Sequence, residues 1–361
     1  MRVTHLLISV TFLLAESCFA FSSQAKGFGT QKKTASYTVT EEALTNFLKS
    51  KKANIQNVDI GIDSNGQRGL FAAKTFGKSD ALICKIPSDI ALALLDPQKV
   101  ASSDEGNVAE YGHSFYRQYY TKPDDWWKDY LQSLPSRIIE TSTTPNLWSD
   151  SEIDLLEFPR LVQQAKKRRD QIEELARKEN IPLDDLKLAT WLVTSRAFLI
   201  PIADDNQETV YDDRGQVITK TATRVLPVMV PFIDIANHSS NPNAKLTLLD
   251  PEKDEAFFCL TSTRPIPKGT EITIGYGSGV ASSVELLLNY GFVAPGNQLD
   301  RFMLKKGGDD CLALASDWTT SLEDDQTMLK LLNENPEERN DVLRQILSFR
   351  IQLKESYSTE E

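Results

Sequence analysis

Three short segments of this sequence combine residue types that could do chemistry. Asn237-His238-Ser239-Ser240-Asn241-Pro242-Asn243 is polar, yet it follows the nearly continuous apolar stretch from Val228 to Ala236. A buried approach that ends in hydrogen-bonding side chains builds a polar pocket floor, because such groups cost free energy when left unpaired. On its own the segment also fits an ordinary Asn-Pro turn with a satisfied His. Gly66-Gln67-Arg68-Gly69-Leu70-Phe71-Ala72 sets a Gly on each side of two polar residues, which lets backbone approach a ligand closely. Gly269 to Gly277 reads as a strand ending in Tyr276 before a Gly, and a second Tyr-Gly-Phe follows at Tyr290-Gly291-Phe292.

Metal chemistry has little support. The four Cys (Cys18, Cys84, Cys259, Cys311) form no CxxC pair, and none of the three His (His5, His113, His238) has a second His one helical turn away. A zinc site needs four clustered ligands, or three plus water. A dense disulfide scaffold is equally unsupported. His113 reads as structural. If the chain is an enzyme, its proton chemistry rests on Tyr, Asp, Glu or Lys. The 361 residues carry 40 Lys+Arg against 51 Asp+Glu, a net charge of −11. That balance argues against a nucleic-acid partner, which needs a basic face, and gives no reason to expect binding to anionic lipid. Beyond residue 20 no apolar run reaches the roughly 20 residues that span a bilayer, so no membrane partner is expected.

The first residues read as a leader. Residues 1–20 have an early Arg2, an apolar core from Leu6 to Ala15 and small residues near Ala20, the form of a signal peptide. Residues 21–37 lack acids and are rich in Ser, Thr and Lys, like a transit peptide. Together they resemble the bipartite plastid leader of algae with complex plastids, with Cys18-Phe19-Ala20-Phe21 at the junction. The alternative is a plain secretory signal followed by a linker.

Several elements must position the three segments. Thr38 and Glu41 have the capping-box spacing ahead of a short helix. From Val58 to Leu95 short apolar runs alternate with turn signals, as in a β-meander. Residues 97–198 read as helical, with a break at Pro159 and a last helix from Leu183 to Phe198. Lys166-Lys167-Arg168-Arg169 reads as a solvated face. Strands return from about Glu208 to Tyr276, a helix follows over 282–290, and two helices broken at Asn335-Pro336 close the chain. The class is α+β.

In this order the segments resemble the SET-domain protein methyltransferases. Arg68-Gly69-Leu70 looks like their first signature, Asn237-His238-Ser239 with Asn241-Pro242-Asn243 like the NHS-x-x-PN signature, and Ile272 to Tyr276 like the strand that ends in the catalytic Tyr. The helical insertion, Ser195-Arg196-Ala197-Phe198 at its end, and the Pro231-x-x-Asp234-x-x-Asn237-His238 spacing are similar to one branch. It includes the Rubisco large-subunit and aldolase lysine methyltransferases and the actin-histidine methyltransferase. The resemblance covers roughly residues 55–300. It implies a SET-type β-sheet core over 55–300 with a helical insertion at about 97–195, followed by a short helical region at 301–361.

The resemblance further implies an S-adenosylmethionine-dependent protein-lysine N-methyltransferase acting on a non-histone protein. Tyr276 is then the catalytic hydroxyl, Gly66, Gln67, Arg68, Arg196, Asn237 and His238 hold the cofactor, and Asp234 and Tyr290 line the substrate channel. No metal is implied. Rubisco or aldolase would be candidate substrates in a plastid; oligomeric state is not legible. The chain departs from the branch at Ile200 and near Lys245, where an Arg and a Tyr are expected, and in a longer stretch between Tyr276 and Tyr290. About 70 residues follow Phe292, which implies a reduced docking surface. The alternatives are a protein-histidine methyltransferase and a non-catalytic SET-like protein-binding module.

Overall fold

Helix α1 (Ala35–Ser50) runs through Thr38, so the helix starts before the residue expected to cap it. The computed structural model describes residues 35–63, 66–94, 108–121, 125–135, 144–211, 217–249, 255–277, 281–301, 318–335 and 340–358, with the backbone path alone at 35–40, 201–224 and 358. The expected leader, residues 1–37, falls almost wholly outside them.

Strands β1 (Val58–Ile62) and β2 (Arg68–Ala72) form an antiparallel hairpin with Ile62 opposite Arg68. The expected meander ends there. Strand β3 (Leu82–Pro87) pairs with a strand near residue 260, and β4 (Leu92–Ala93) with one near 228. Ile83, Cys84 and Ile86 are all buried, so β3 needs cover on both faces. Turn signals mark where strands stop and carry no information about which strand they join.

The stretch between Val108 and Arg196 is helical wherever it is regular: α2 (Val108–Phe115), α3 (Lys128–Ser133), α4 (Asp150–Asp154), α5 (Pro159–Glu179) and α6 (Leu183–Arg196). Ser149 and Glu152 cap α4 reciprocally, and Pro159 opens α5 at the position where its missing N–H costs nothing. Helix α6 stops at Arg196, two residues short of the expected end, because Ala197 already begins β5 (Ala197–Tyr211). Strand β5 pairs with β6 (Val217–Met229) in a long hairpin that begins well before the expected Glu208. The run Phe198-Leu199-Ile200-Pro201-Ile202 is continuously apolar, and such a run does not separate helix from strand by period.

Strands β7 (Asn237–His238), β8 (Ala244–Leu249), β9 (Phe257–Ser262) and β10 (Glu271–Ile274) complete three small sheets. Their orders are β1-β2-β10-β7, β3-β9-β8 and β4-β6-β5. Helix α7 (Ser283–Tyr290) follows, then α8 (Leu322–Glu334) and α9 (Asp341–Ser358). The class is α+β, as the sequence reading has it.

A principal core joins the sheets to α1, α3 and α6, and a second packs α4 and α5 against α7 and α9 through Trp148, Phe158, Leu287 and Phe349. Here the basic run departs from a solvated face. Lys166 pairs with Asp154 (2.6 Å), Arg169 pairs with Asp150 (2.7 Å), and Arg168 crosses to the end of α7. Lys167 alone of the four is exposed. Among the described residues no helix is long and apolar enough to cross a membrane, and no cluster of His, Cys, Asp and Glu could hold a metal ion.

Candidate active site

Strand β10 assembles the three segments. It runs antiparallel to β2 (Ile272 opposite Leu70) and parallel to β7 (Thr273 opposite Asn237, Ile274 opposite His238). The parallel strand is two residues long, and Asn243 extends its work. The Asn243 carboxamide donates to the Glu271 carbonyl (2.7 Å) and accepts from the Thr273 N–H (2.9 Å), imitating a peptide group. Asn241 instead accepts from Arg264 through both its side chain and its carbonyl. The polar run is thus part turn clamp and part floor.

Asn237 points back to β2. Its Nδ2 donates to the Arg68 carbonyl (3.0 Å) and to Glu271 Oε1 (2.8 Å). Gly69 is what permits this approach. A Cβ there would lie 2.5 Å from Glu271 Oε1 and 2.9 Å from Asn237 Nδ2. The Arg68 guanidinium turns toward the helices, donating to the Ser133 carbonyl (2.9 Å) with Glu41 at 4.0 Å. Gly66 and Gln67 sit at the exposed tip of the hairpin. The turn uses both backbone groups of Gln67, its N–H on Asp63 Oδ1 and its carbonyl under the Asp63 N–H. A ligand at that tip would therefore meet the Gln67 side chain.

Tyr276 follows the end of β10. Its backbone N–H donates to His238 Nδ1 (3.0 Å), which makes Nδ1 an acceptor and places the ring proton on Nε2. Its hydroxyl donates to the Ala236 carbonyl (2.9 Å). The rings of Tyr290 (4.5 Å), His238 (5.3 Å) and Phe292 (6.2 Å) stand around it. Burial pushes the Tyr276 phenol well above its ordinary range and pushes the His238 imidazole down. Near neutral pH both are uncharged, so Tyr276 is a donor and not a base. Capped by Ser282 and Glu285, α7 ends with Gly291 in the left-handed region (φ 78°), which swings Tyr290 and Phe292 onto this wall.

Arg196 and Asp234 meet one step deeper. Arg196 Nη1 donates to the Asp234 carbonyl (3.2 Å) and lies 3.4 Å from Oδ2. The chain reaches this position through Phe232, held at φ 76°, a strained conformation for a bulky residue. The Asp234 side chain is 1% exposed. Burial raises its carboxyl pKa, and Arg196 together with a hydrogen bond from Tyr130 pulls it back. Asp234 therefore faces Arg196 and Tyr130 rather than an open channel. Arg196 Nε is buried with no hydrogen-bond partner among the described residues. The charge of a part-exposed guanidinium and the polar face of Asn237 suit a zwitterionic amino-acid end.

Tyr276, His238, Asn237 and Tyr290 come together as one group, and Arg196 with Asp234 as a second beneath it. Glu271, Tyr130 and Asn243 were missed as site residues. Glu271 leaves a faint signal as the acid that opens an alternating strand; Tyr130 leaves none.

The SET-domain family model matches residues 67–277. The N-lysine methyltransferase setd6 of Danio rerio is 28% identical over 224 residues, 60% of this chain and 46% of that protein. The chloroplastic ribulose-1,5-bisphosphate carboxylase/oxygenase large subunit N-methyltransferase of Nicotiana tabacum is 23% identical over 255 residues, 65% of this chain and 47% of that protein. Actin-histidine N-methyltransferase of Mus musculus is 24% identical over 219 residues, 56% and 32% respectively. The chain thus spans less than half the length of these relatives. The crystal structure of the SET domain of LSMT bound to lysine and AdoHcy superposes with a TM-score of 0.62 at 16% identity, covering 90% of each chain. Rubisco LSMT bound to AdoMet gives 0.59 at 16% identity over 89% of this chain and 90% of that one.

Proposed function

This chain belongs to the SET-domain family, and on that footing we propose that it moves the methyl group of S-adenosylmethionine to a lysine amine of a non-histone protein. The observation that carries the reading is the Tyr276 hydroxyl, fixed on the Ala236 carbonyl beside Asn237-His238 and walled by three other rings.

The chemistry fits these groups. A lysine amine has a pKa of about 10.4 and is mostly protonated at neutral pH. An apolar, desolvated channel favours the neutral amine, whose proton leaves to solvent. Its lone pair then attacks the methyl carbon in line; the new C–N bond forms as the C–S bond breaks, and that electron pair stays on sulfur. Holding the two centres on one axis supplies much of the acceleration. With its one hydrogen held by the Ala236 carbonyl, the Tyr276 hydroxyl orients the reacting groups as a neutral acceptor. Tyr290 and Phe292 exclude water. Asn237, His238, Arg196 and the 66–68 turn hold the cofactor, and Asp234 acts indirectly, by holding Arg196.

The leader-like residues 1–37, and chloroplastic relatives in Nicotiana tabacum and Pisum sativum, support a plastid location. Rubisco or aldolase then becomes a candidate substrate. The 24% identity with an actin-histidine methyltransferase supports histidine as the second target. A module that binds protein without catalysis would have no need of the cofactor, so measured cofactor affinity separates it.

The test incubates the chain with radiolabelled S-adenosylmethionine and a plastid-rich lysate, with Tyr276→Phe alongside. A labelled band in the wild type alone is expected, and mass spectrometry of that band distinguishes Lys from His. Loss of one preorganised hydroxyl is expected to lower turnover on the order of a hundredfold, with cofactor affinity within about threefold. Wild-type turnover in Tyr276→Phe would overturn the assignment.

A further inference from the structure

Glu271 opens β10 and turns its carboxylate toward the neighbouring strand, where Oε1 accepts from Asn237 Nδ2 at 2.8 Å. The other hydrogen of the same nitrogen goes to the Arg68 carbonyl at 3.0 Å. A carboxamide nitrogen has two hydrogens, and both are now spent. The flipped amide would press Oδ1 against a carboxylate and a carbonyl together. Acceptors do not tolerate that, so the amide has one orientation. Its Oδ1 is then the one polar atom of the amide left to accept. Among the described residues no donor reaches this oxygen, and it is not one of the buried atoms left without a partner, so it remains accessible. Gly69 completes the device. Any larger residue would put a Cβ 2.5 Å from the Glu271 oxygen that holds the amide.

An accessible acceptor that cannot turn selects for a donor. On the methyltransferase reading above, the donor available at Asn237 is the ammonium of the cofactor's amino-acid end. We propose that Glu271 is a positioning residue, which locks the Asn237 carboxamide so that Oδ1 faces that ammonium and so sets the preference for a cofactor that carries it. Glu271 touches neither cofactor nor substrate in this role. Its effect passes through Asn237.

The test is a ratio of affinities. The full chain is titrated calorimetrically with S-adenosylhomocysteine and with the analogue in which hydrogen replaces the α-amino group. The wild type is expected to prefer the first by about tenfold to hundredfold, the range of one hydrogen bond to a charged group. Glu271→Gln keeps an acceptor and should keep the ratio. Glu271→Met fills the same space without an acceptor, and the ratio should fall to about threefold or less. Gly69→Ala displaces the carboxylate by a separate route and should lower the ratio in the same direction. General structural damage weakens both ligands alike and leaves the ratio where it was. An unchanged ratio in Glu271→Met and Gly69→Ala overturns the proposal, as does a collapsed ratio in Glu271→Gln. A wild type that binds both ligands equally overturns this inference alone. A wild type that binds neither removes the methyltransferase reading, and this one with it.

Discussion

The Tyr130 hydroxyl donates to Asp234 Oδ2 at 2.9 Å, joining residues 104 positions apart. Tyr130 belongs to α3 among the helices, and Asp234 to the turn that leads into β7. The same helix offers its Ser133 carbonyl to Arg68. One short helix therefore braces both the Arg196–Asp234 pair and the β1–β2 hairpin. Tyr130→Phe removes the donor and leaves a buried carboxylate whose Oδ1 already has no partner among the described residues. The expected cost is about 1.5–3 kcal/mol in urea unfolding. Cofactor affinity should fall with it, because Arg196 loses a fixed counter-ion. A variant as stable as the wild type and with its affinity would show that Arg196 alone holds Asp234.

Arg168 makes a second long reach. It donates to the Leu288 carbonyl (3.3 Å) and to Asn289 Oδ1 (2.7 Å), at the end of α7 and just before Tyr290. A cation there meets orphan carbonyls and the negative end of the helix. Arg168→Ala should loosen the Tyr290–Phe292 wall. We expect KM for the protein substrate to rise about threefold to tenfold while cofactor affinity holds. Arg168→Lys keeps the charge but loses the fork, and should recover part of the effect. Steady-state kinetics with each variant would check the order.

These contacts explain what the sequence could and could not disclose. The 66–72, 237–243 and 269–277 segments were legible because turn glycines, a polar run after an apolar one, and a strand before Tyr-Gly are local patterns. Glu271, Tyr130 and Arg168 were not. Each acts on a partner 34, 104 or 121 positions away, and each side chain would suit a surface or a core equally well. Arg168 in particular was hidden inside a run of four cations that only distance-independent composition could describe. The pairing of β3 with β9 was lost for the same reason, since strand propensity names no partner.

His238 gives a pH dependence with a definite sign. Its Nδ1 accepts the Tyr276 N–H, so protonation would set a donor against a donor. Burial lowers its pKa below 6.5. A depressed histidine contributes stability that is present above its unfolded value and lost as pH falls through the folded pKa. Melting temperature and turnover should therefore hold at neutral pH and decline together on the acid side of 6.5. His113 is also depressed by burial, beside Glu179 and Arg117, so imidazole resonances must be assigned with His113→Gln. A His238 midpoint above 6.5 by NMR would contradict the geometry.

The C-terminal helices depend on one buried acid. Asp325 of α8 is 2% exposed and meets Arg350 (3.0 Å) and Lys354 (2.6 Å) of α9, while Arg350 continues to Glu157 before α5 (3.3 Å). Trp318 lies under both cations. Asp325→Ala would remove the buried acid that Arg350 and Lys354 share. Breaking a buried pair from one side costs about 3–5 kcal/mol. Because α9 packs on α7 through Phe349 and Leu287 in the second core, the loss should reach the Tyr290 wall. Asp325→Ala is expected to unfold at markedly lower urea and to lose substrate turnover in the same range. Asp325→Asn, which keeps the shape and one acceptor, should fall between them. A stability unchanged by Asp325→Ala would mean that the cations reach water on their own.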